Sequence, residues 1–168
     1  MNSHQEIRWE QARSDLHVFN LLREAGVEPC HQLHYLQMIA EKLAKAYLWR
    51  SGSPPPRKHA GFVNFLRGLG LVENERRAVL ASALGFRTFV QLHHWIRAAT
   101  PLAHEFERLA PALAGDGPNP EYPWPHDAPA NYPARYEFSF WNRLVGTTPG
   151  RRFLKVIEVA VDRFPIYA

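Results

Sequence analysis

Apolar residues recur every three or four positions along most of this chain, a spacing that places them on one face of an α-helix. Over residues 5–25 this face is formed by Trp9, Ala12, Leu16, Phe19 and Leu22. Gly26 follows directly and Pro29 lies just beyond, and both residue types are common after the end of a helix. The pattern therefore predicts a first helix over 5–25.

The segment 30–51 is more apolar and predicts a second helix that is largely buried. Its apolar stripe consists of Leu33, Leu36, Ala40, Leu43 and Tyr47. The Ser, Gly and Pro residues of 51–56 end this helix, because proline lacks an amide N–H and clashes with the preceding turn. The same periodicity predicts further helices over 58–69, 73–84, 86–99, 101–113, 138–145 and 151–164.

The predicted architecture is an all-α bundle within one domain, 1–168, and no segment has the alternation of a strand. Thr100 and Pro101 leave one boundary open. A Thr-Pro pair is typical of a helix start, so it either begins a new helix or kinks a helix that continues through it.

Residues 114–137 differ from the rest of the chain. They contain six of the 14 prolines, which disfavour both helix and central strand. They also contain four aromatic residues, which a flexible linker would not expose. We therefore expect an ordered, extended segment that packs across the bundle, with Tyr122, Trp124, Tyr132 and Tyr136 as its anchors.

Composition and charge exclude several classes of protein. Hydrophobic residues make up 46% of the 168, no apolar run reaches the roughly 18 residues of a membrane span, and the N-terminus is polar. These features predict a globular cytoplasmic protein. The single cysteine, Cys30, excludes an intramolecular disulfide and favours a small buried residue over a catalytic thiol. The net charge of +4 is compatible with an RNA partner and equally with a solvated basic surface.

Arg97 and His104 are the candidate catalytic residues. Seven positions are nearly two helical turns, so both lie on one face, about 10 Å apart along the axis, if the helix continues through Pro101. A neutral histidine can remove the proton of a ribose 2′-OH, and an arginine can stabilise charge on the phosphate oxygens. That pairing is typical of metal-independent RNA cleavage. Two surface residues that share a face by chance would show the same spacing.

A second candidate is the cluster Arg57, Lys58 and His59, which follows the proline-rich turn and opens the predicted helix 58–69. Such a cluster is suited to contacting a nucleic-acid backbone. The alternative is a solvated turn in which His59 packs or caps locally.

Other site chemistry is not indicated. There is no Gly-rich phosphate loop and no GxSxG motif. His31 and His34 are three positions apart, but no acidic residue sits at a matching position nearby. We predict no cofactor and no metal site.

Several segments together resemble the HEPN superfamily, helical domains of higher eukaryotes and prokaryotes that bind nucleotides or RNA. The first is LLREAG over 21–26, and the second is the core of the second helix, Ala40, Glu41, Lys42, Lys45 and Ala46. A Pro-containing turn then leads to Lys58-His59 and to a helix with Phe65-Leu66. The resemblance covers about residues 9–69.

The resemblance implies an up-down bundle of helices, usually a homodimer. Many members of this superfamily are ribonucleases with an Arg and a His, separated by four to six residues, near the dimer cleft. Arg97 and His104 match that spacing, although Ala98 stands where a polar residue is common and Pro101 lies within the motif.

Two functions follow as expectations, beside the alternative of a purely structural helical dimer that binds no ligand. The first is an RNA-directed or nucleotide-binding protein, including a metal-independent endoribonuclease of the toxin or defence type. The second is a non-catalytic binding or partner module, such as one that works beside a nucleotidyltransferase or an antitoxin.

Overall fold

The computed structural model describes residues 1–49 and 61–168, and it contains only helices, turns and irregular segments in these ranges. The helices are α1 (Ser3–Glu24), α2 (Pro29–Leu48), α3 (Phe62–Gly70), α4 (Asn74–Ala83), α5 (Phe89–Arg108), α6 (Pro111–Ala114), α7 (Ser139–Gly146), α8 (Thr148–Asp162) and α9 (Phe164–Tyr167). The all-α prediction is confirmed for this part of the chain. The finer assignment to a HEPN-like up-down bundle stays a prediction.

Helices α1 and α2 form a hairpin that begins at a well-formed cap. The Asn2 side chain accepts the Gln5 amide at 3.0 Å, and the Gln5 side chain accepts the Asn2 amide at 3.1 Å. Between the two helices, the nearly buried Asp15 carboxylate pairs with the Lys42 ammonium group. The apolar stripes predicted for both helices are therefore turned toward each other and toward the core.

The remaining helices close around the stripe of α2. Helix α3 packs between α2 and α5, α7 packs on α8, and α8 also contacts α1. The centre is aromatic: Phe62 of α3, Phe106 of α5 and Phe153 of α8 meet with ring centroids 5.6 to 6.2 Å apart. These rings hold α5 against the core by one face and leave its opposite face outside.

Helix α5 resolves the open boundary at Thr100 and Pro101. Of the two alternatives left open there, the structure shows the continuing helix, which runs through both residues to Arg108. Pro101 is tolerated because it lies on the exposed side, and the Thr100 hydroxyl donates to the Ile96 carbonyl at 2.7 Å. The helix starts at Phe89 rather than 86, because the Thr88 side chain caps it by accepting the Gln91 amide at 3.2 Å.

Residues 114–137 contain no α-helix beyond the end of α6, as their prolines predict, and one short 3-10 helix, Pro133–Arg135. The predicted set of anchors is corrected. Trp124 is buried at 5% exposure, but Tyr122, Tyr132 and Tyr136 are exposed. Trp124 pairs its backbone with Asn131 and packs against Phe138, and the partly exposed Tyr136 ring lies edge-on against both of these rings.

Candidate functional site

The outer face of α5 is the part of the described chain where predicted catalytic side chains lie together. The inner face consists of Leu92, Ile96, Ala99, Ala103 and Phe106, which are all buried. The period of these residues forces the intervening positions outward. The exposed positions include His93, His94, Arg97, Pro101, His104 and Arg108. We call this set the α5 outer face.

Arg97 and His104 share this face because α5 is continuous. Seven residues of helix correspond to about 10 Å of rise and an angular offset of about 20°. Both side chains are exposed, and neither has a hydrogen bond or ion pair with another residue of the described ranges. The sequence prediction that the two residues share one face is therefore confirmed, whereas their catalytic role stays a prediction.

The charge of the α5 outer face is basic. Arg97 and Arg108 are positive, and the three histidines add charge when protonated. The neighbouring carboxylate, Glu105, is engaged by Arg143 of α7 in a surface ion pair. An anion that approaches this face from solvent therefore meets two arginines, while the Glu105 carboxylate of the same helix is engaged by Arg143.

An apolar groove of about 540 Å³ lies on the flank of the same helix, between α5 and the start of α8, and neither Arg97 nor His104 is part of its lining. It is lined by Trp95, Ala98, Ala99, Pro101, Leu102, Glu105, Thr148, Pro149 and Arg152. The α5 outer face is thus a convex surface beside a groove in the single chain.

Pro101 lies between the two candidate residues and leaves one α5 carbonyl without its usual helical donor. Because proline has no N–H, the Arg97 carbonyl lacks the amide that a residue four positions later normally supplies. We expect Pro101→Ala to raise the free energy of unfolding by about 2 kcal/mol, since proline inside a helix costs about 3 kcal/mol relative to alanine.

The measurement is urea-induced unfolding followed by circular dichroism. Pro29→Ala is the matched control: Pro29 occupies the first position of α2, where proline is favourable, so this change brings no gain. An unchanged urea midpoint for Pro101→Ala would show that Pro101 does not destabilise α5.

The other predicted contact residues have different outcomes. Arg57, Lys58 and His59 lie outside the described residues, so their suggested contact with nucleic acid stays a prediction. His34 lies with its Nδ1 atom 3.2 Å from the Glu121 carboxylate. In the ranges 1–49 and 61–168, no group of three or more His, Cys, Asp or Glu side chains is arranged to hold a metal ion.

Two groups that are chemically reactive in other settings are held inactive by burial. Burial raises the pKa of the Cys30 thiol, which keeps it in the protonated, weakly nucleophilic form. Burial also raises the pKa of the Tyr167 hydroxyl well above its usual value, and this hydroxyl donates to the Ala160 carbonyl at 2.7 Å. These environments favour a structural role for both residues, as was expected for Cys30.

Sequence reasoning missed one concave feature, a cavity of about 290 Å³ that α2, α3, α5 and α6 form with residues 121–122. It contains the buried carboxylate of Glu107. The signal was present in the sequence: Glu107 follows Ala103 by four positions and so continues the buried face of α5. A carboxylate at a core position needs hydrogen-bond donors to offset its desolvation, and Glu107 accepts one such bond from the Val63 amide.

No helix in the described ranges is both long and apolar enough to cross a membrane. The cytoplasmic location stays a prediction. Comparison with known proteins gives no further constraint, since no family model, no curated protein and no solved structure matches this chain. The resemblance to HEPN domains and its implied activity, partners and homodimer are therefore carried by the quoted residues alone.

Proposed function

We propose that this protein is RNA-directed and acts through the α5 outer face, with Arg97 holding the phosphate backbone. One observation carries the proposal: two solvent-exposed side chains suited to phosphodiester chemistry share one face of a continuous helix and are not engaged by other described residues. An unpaired arginine offers a planar set of donors that matches a phosphate group.

The chemistry that Arg97 and His104 would perform is metal-independent cleavage of RNA. A neutral His104 imidazole removes the proton of a ribose 2′-OH, and the 2′-oxygen attacks the adjacent phosphorus. The bond to the 5′-oxygen breaks, and water protonates that oxygen, leaving a 2′,3′-cyclic phosphate and a 5′-OH end. Arg97 stabilises the charge that develops on the non-bridging oxygens.

The separation of about 10 Å along α5 is too long for direct contact between Arg97 and His104, but it allows both side chains to reach one extended phosphodiester that lies between them. It suits an extended strand that runs along the helix. The homodimer implied by the resemblance would change this geometry, because a second α5 outer face opposite the first would make a cleft from two convex surfaces.

The test is incubation of the purified protein with a labelled single-stranded RNA in EDTA. We expect cleavage to persist without metal and to fall by about 100-fold or more in the Arg97→Ala/His104→Ala double variant. The matched control is Arg13→Ala/His17→Ala on α1, which removes the same two residue types from an exposed helix face.

Binding is measured on the same variants by fluorescence anisotropy at several salt concentrations, because phosphate contacts weaken as salt rises. If the Arg97→Ala/His104→Ala variant binds and cleaves RNA as well as the wild type, the α5 outer face is not the site. If the wild type neither binds nor cleaves RNA, the RNA-directed function is wrong.

A specific observation favours a second function, a non-catalytic binding or partner module. The two candidate residues line neither the apolar groove nor the cavity of about 290 Å³, whereas small-molecule sites are usually concave. The apolar groove beside them would then dock a partner protein, such as a nucleotidyltransferase or an antitoxin. RNA binding lost in the double variant with no cleavage at any pH would support a binding module.

A further inference from the structure

The cavity of about 290 Å³ lies on the opposite side of α5 from the outer face and has a lining of unusual composition. Its walls are Gln37, Met38, Ala40, Glu41, Phe62, Phe106, Glu107, Ala110, Pro111, Ala112, Glu121 and Tyr122. Three of these residues are glutamates, and the part of the lining that the structure describes contains no Lys, Arg or His. The volume is at the lower end of the range for small-molecule sites.

Glu107 supplies the most deeply buried carboxylate of this cavity. The side chain is 9% exposed, and its Oε1 atom accepts the Val63 amide at 2.9 Å. Val63 lies in the first turn of α3, whose Gly61 cap supplies no side-chain acceptor, so Glu107 caps that helix from outside. The second oxygen, Oε2, has no hydrogen-bond donor among the described residues. Oε2 is not one of the fully enclosed unsatisfied polar atoms, so this oxygen is open to a donor that enters the cavity.

Gln37 supplies a second acceptor, which is fully enclosed. Its Nε2 atom donates to the Phe106 carbonyl at 3.2 Å, which fixes the orientation of the amide because a carbonyl oxygen cannot donate. The Oε1 atom is buried and has no partner. A buried acceptor without a donor costs free energy, and a ligand that donates a hydrogen bond removes that cost.

The other two carboxylates of the lining each lie beside a basic side chain of α2. Glu41 pairs with Lys45 one turn along α2, and the Glu121 carboxylate lies 3.2 Å from the His34 ring. Neither Lys45 nor His34 lines the cavity. Glu107 therefore carries a carboxylate that no cationic side chain of the described residues pairs with.

The rest of the lining is apolar. Met38, Phe62, Phe106 and Pro111 supply aliphatic and aromatic walls, and the exposed ring of Tyr122 stands among the lining residues. A bare metal ion needs several oxygen ligands at once, and the described residues offer no such group. An apolar wall instead suits a ligand with a hydrocarbon body.

We propose that this cavity binds a small organic cation, an aliphatic amine whose ammonium group donates to Glu107 Oε2 and Gln37 Oε1 while its chain lies against the apolar walls. An ammonium group supplies three donors and one positive charge, which match two acceptors and one unpaired carboxylate. The proposal depends on the cavity alone and is independent of any action on RNA.

The experiment is isothermal titration of the purified full chain with putrescine, cadaverine, spermidine and n-butylamine, at constant ionic strength set with NaCl. We expect saturable binding of at least one of these amines and none of NaCl. Glu107→Gln keeps a carbonyl acceptor for the Val63 amide and removes the charge, and we expect the affinity to fall by about tenfold or more.

Glu105→Gln is the matched control, because Glu105 is on the same helix and does not line this cavity. Its affinity should equal that of the wild type. If Glu107→Gln does not fold, the same titration is made with Gln37→Met, which retains the side-chain volume and removes the second acceptor. The affinity for the amine should then fall in this variant. Equal binding by all variants would place the amine elsewhere and overturn the proposal, as would no saturable binding or a preference for Mg²⁺ at the same residues.

Discussion

The Gly150→Ala variant is expected to lose about 3 kcal/mol of folding free energy, the upper end of the usual cost of overpacking. Gly150 lies in the first turn of α8, where α7 crosses it. A Cβ atom at this position would lie 2.2 Å from the Arg143 carbonyl oxygen and 2.5 Å from the Leu144 Cα atom. Both are backbone atoms of α7, so no side-chain rotation relieves the overlap.

The α7–α8 corner depends on this close approach. The Thr147 hydroxyl caps α8 by accepting the Gly150 amide at 3.1 Å and also donates to the Arg143 carbonyl at 2.7 Å. To admit a methyl group, α7 must move away from α8, and these capping bonds must lengthen. For a chain of this size, the loss corresponds to a decrease in Tm of about 6–12 °C.

Gly146→Ala is the matched control for this prediction. Gly146 is the last residue of α7, and nothing lies within 4 Å of a Cβ added there. Alanine in a helix is favoured over glycine by up to about 1 kcal/mol, so this variant should be as stable as the wild type or slightly more stable. Urea unfolding curves that coincide for the two variants would show that the corner is not tightly packed.

The second large effect is expected for Phe153→Ala, which should destabilise the fold by about 4 kcal/mol. Phe153 is fully buried on α8 and meets the rings of Phe62 and Phe106 edge to face, at 5.6 and 6.0 Å. Its removal leaves a cavity where three helices meet, and the rigid helices cannot close it. The cost therefore includes both lost burial and lost packing.

Tyr132→Ala is the control because it removes an aromatic ring that is 45% exposed. Its effect should stay below about 1 kcal/mol, as surface substitutions usually do. Both variants are compared by urea unfolding with a circular dichroism readout. If Phe153→Ala does not fold, Phe153→Leu keeps most of the volume and should lose less than about 1.5 kcal/mol. A Phe153→Ala midpoint equal to that of Tyr132→Ala would contradict this account of the core.

Sequence periodicity predicted the helices well where one face is continuous. The stripes of 5–25 and 30–51 correspond to α1 and α2, and the stripe of 151–164 corresponds to α8. The period alone left the boundary at Pro101 open, because it does not state whether a proline faces solvent or the core. In the structure it faces solvent, so α5 continues and carries Arg97 and His104 on one face.

The candidate site likewise has a part that the sequence predicted and a part that it did not. Arg97 and His104 are seven positions apart, so they lie on one face of any continuous helix that contains both. The structure shows that α5 is such a helix. The acidic cavity was not predicted, because its lining comes from α2, α3, α5, α6 and residues 121–122. No local pattern states that Gln37 and Glu107, 70 positions apart, share a cavity.

The sequence by itself determined that this chain is helical, that residues 114–137 interrupt the helices, and which faces of the main helices are buried. These properties follow from the conformational limits of proline and from the 3.6-residue period, and both act over a few neighbouring residues. The tertiary structure decided that Trp124 is buried while Tyr122 is exposed, and that Glu107 caps α3. Those outcomes depend on which distant segments meet, and close packing selects them only when the whole chain is folded.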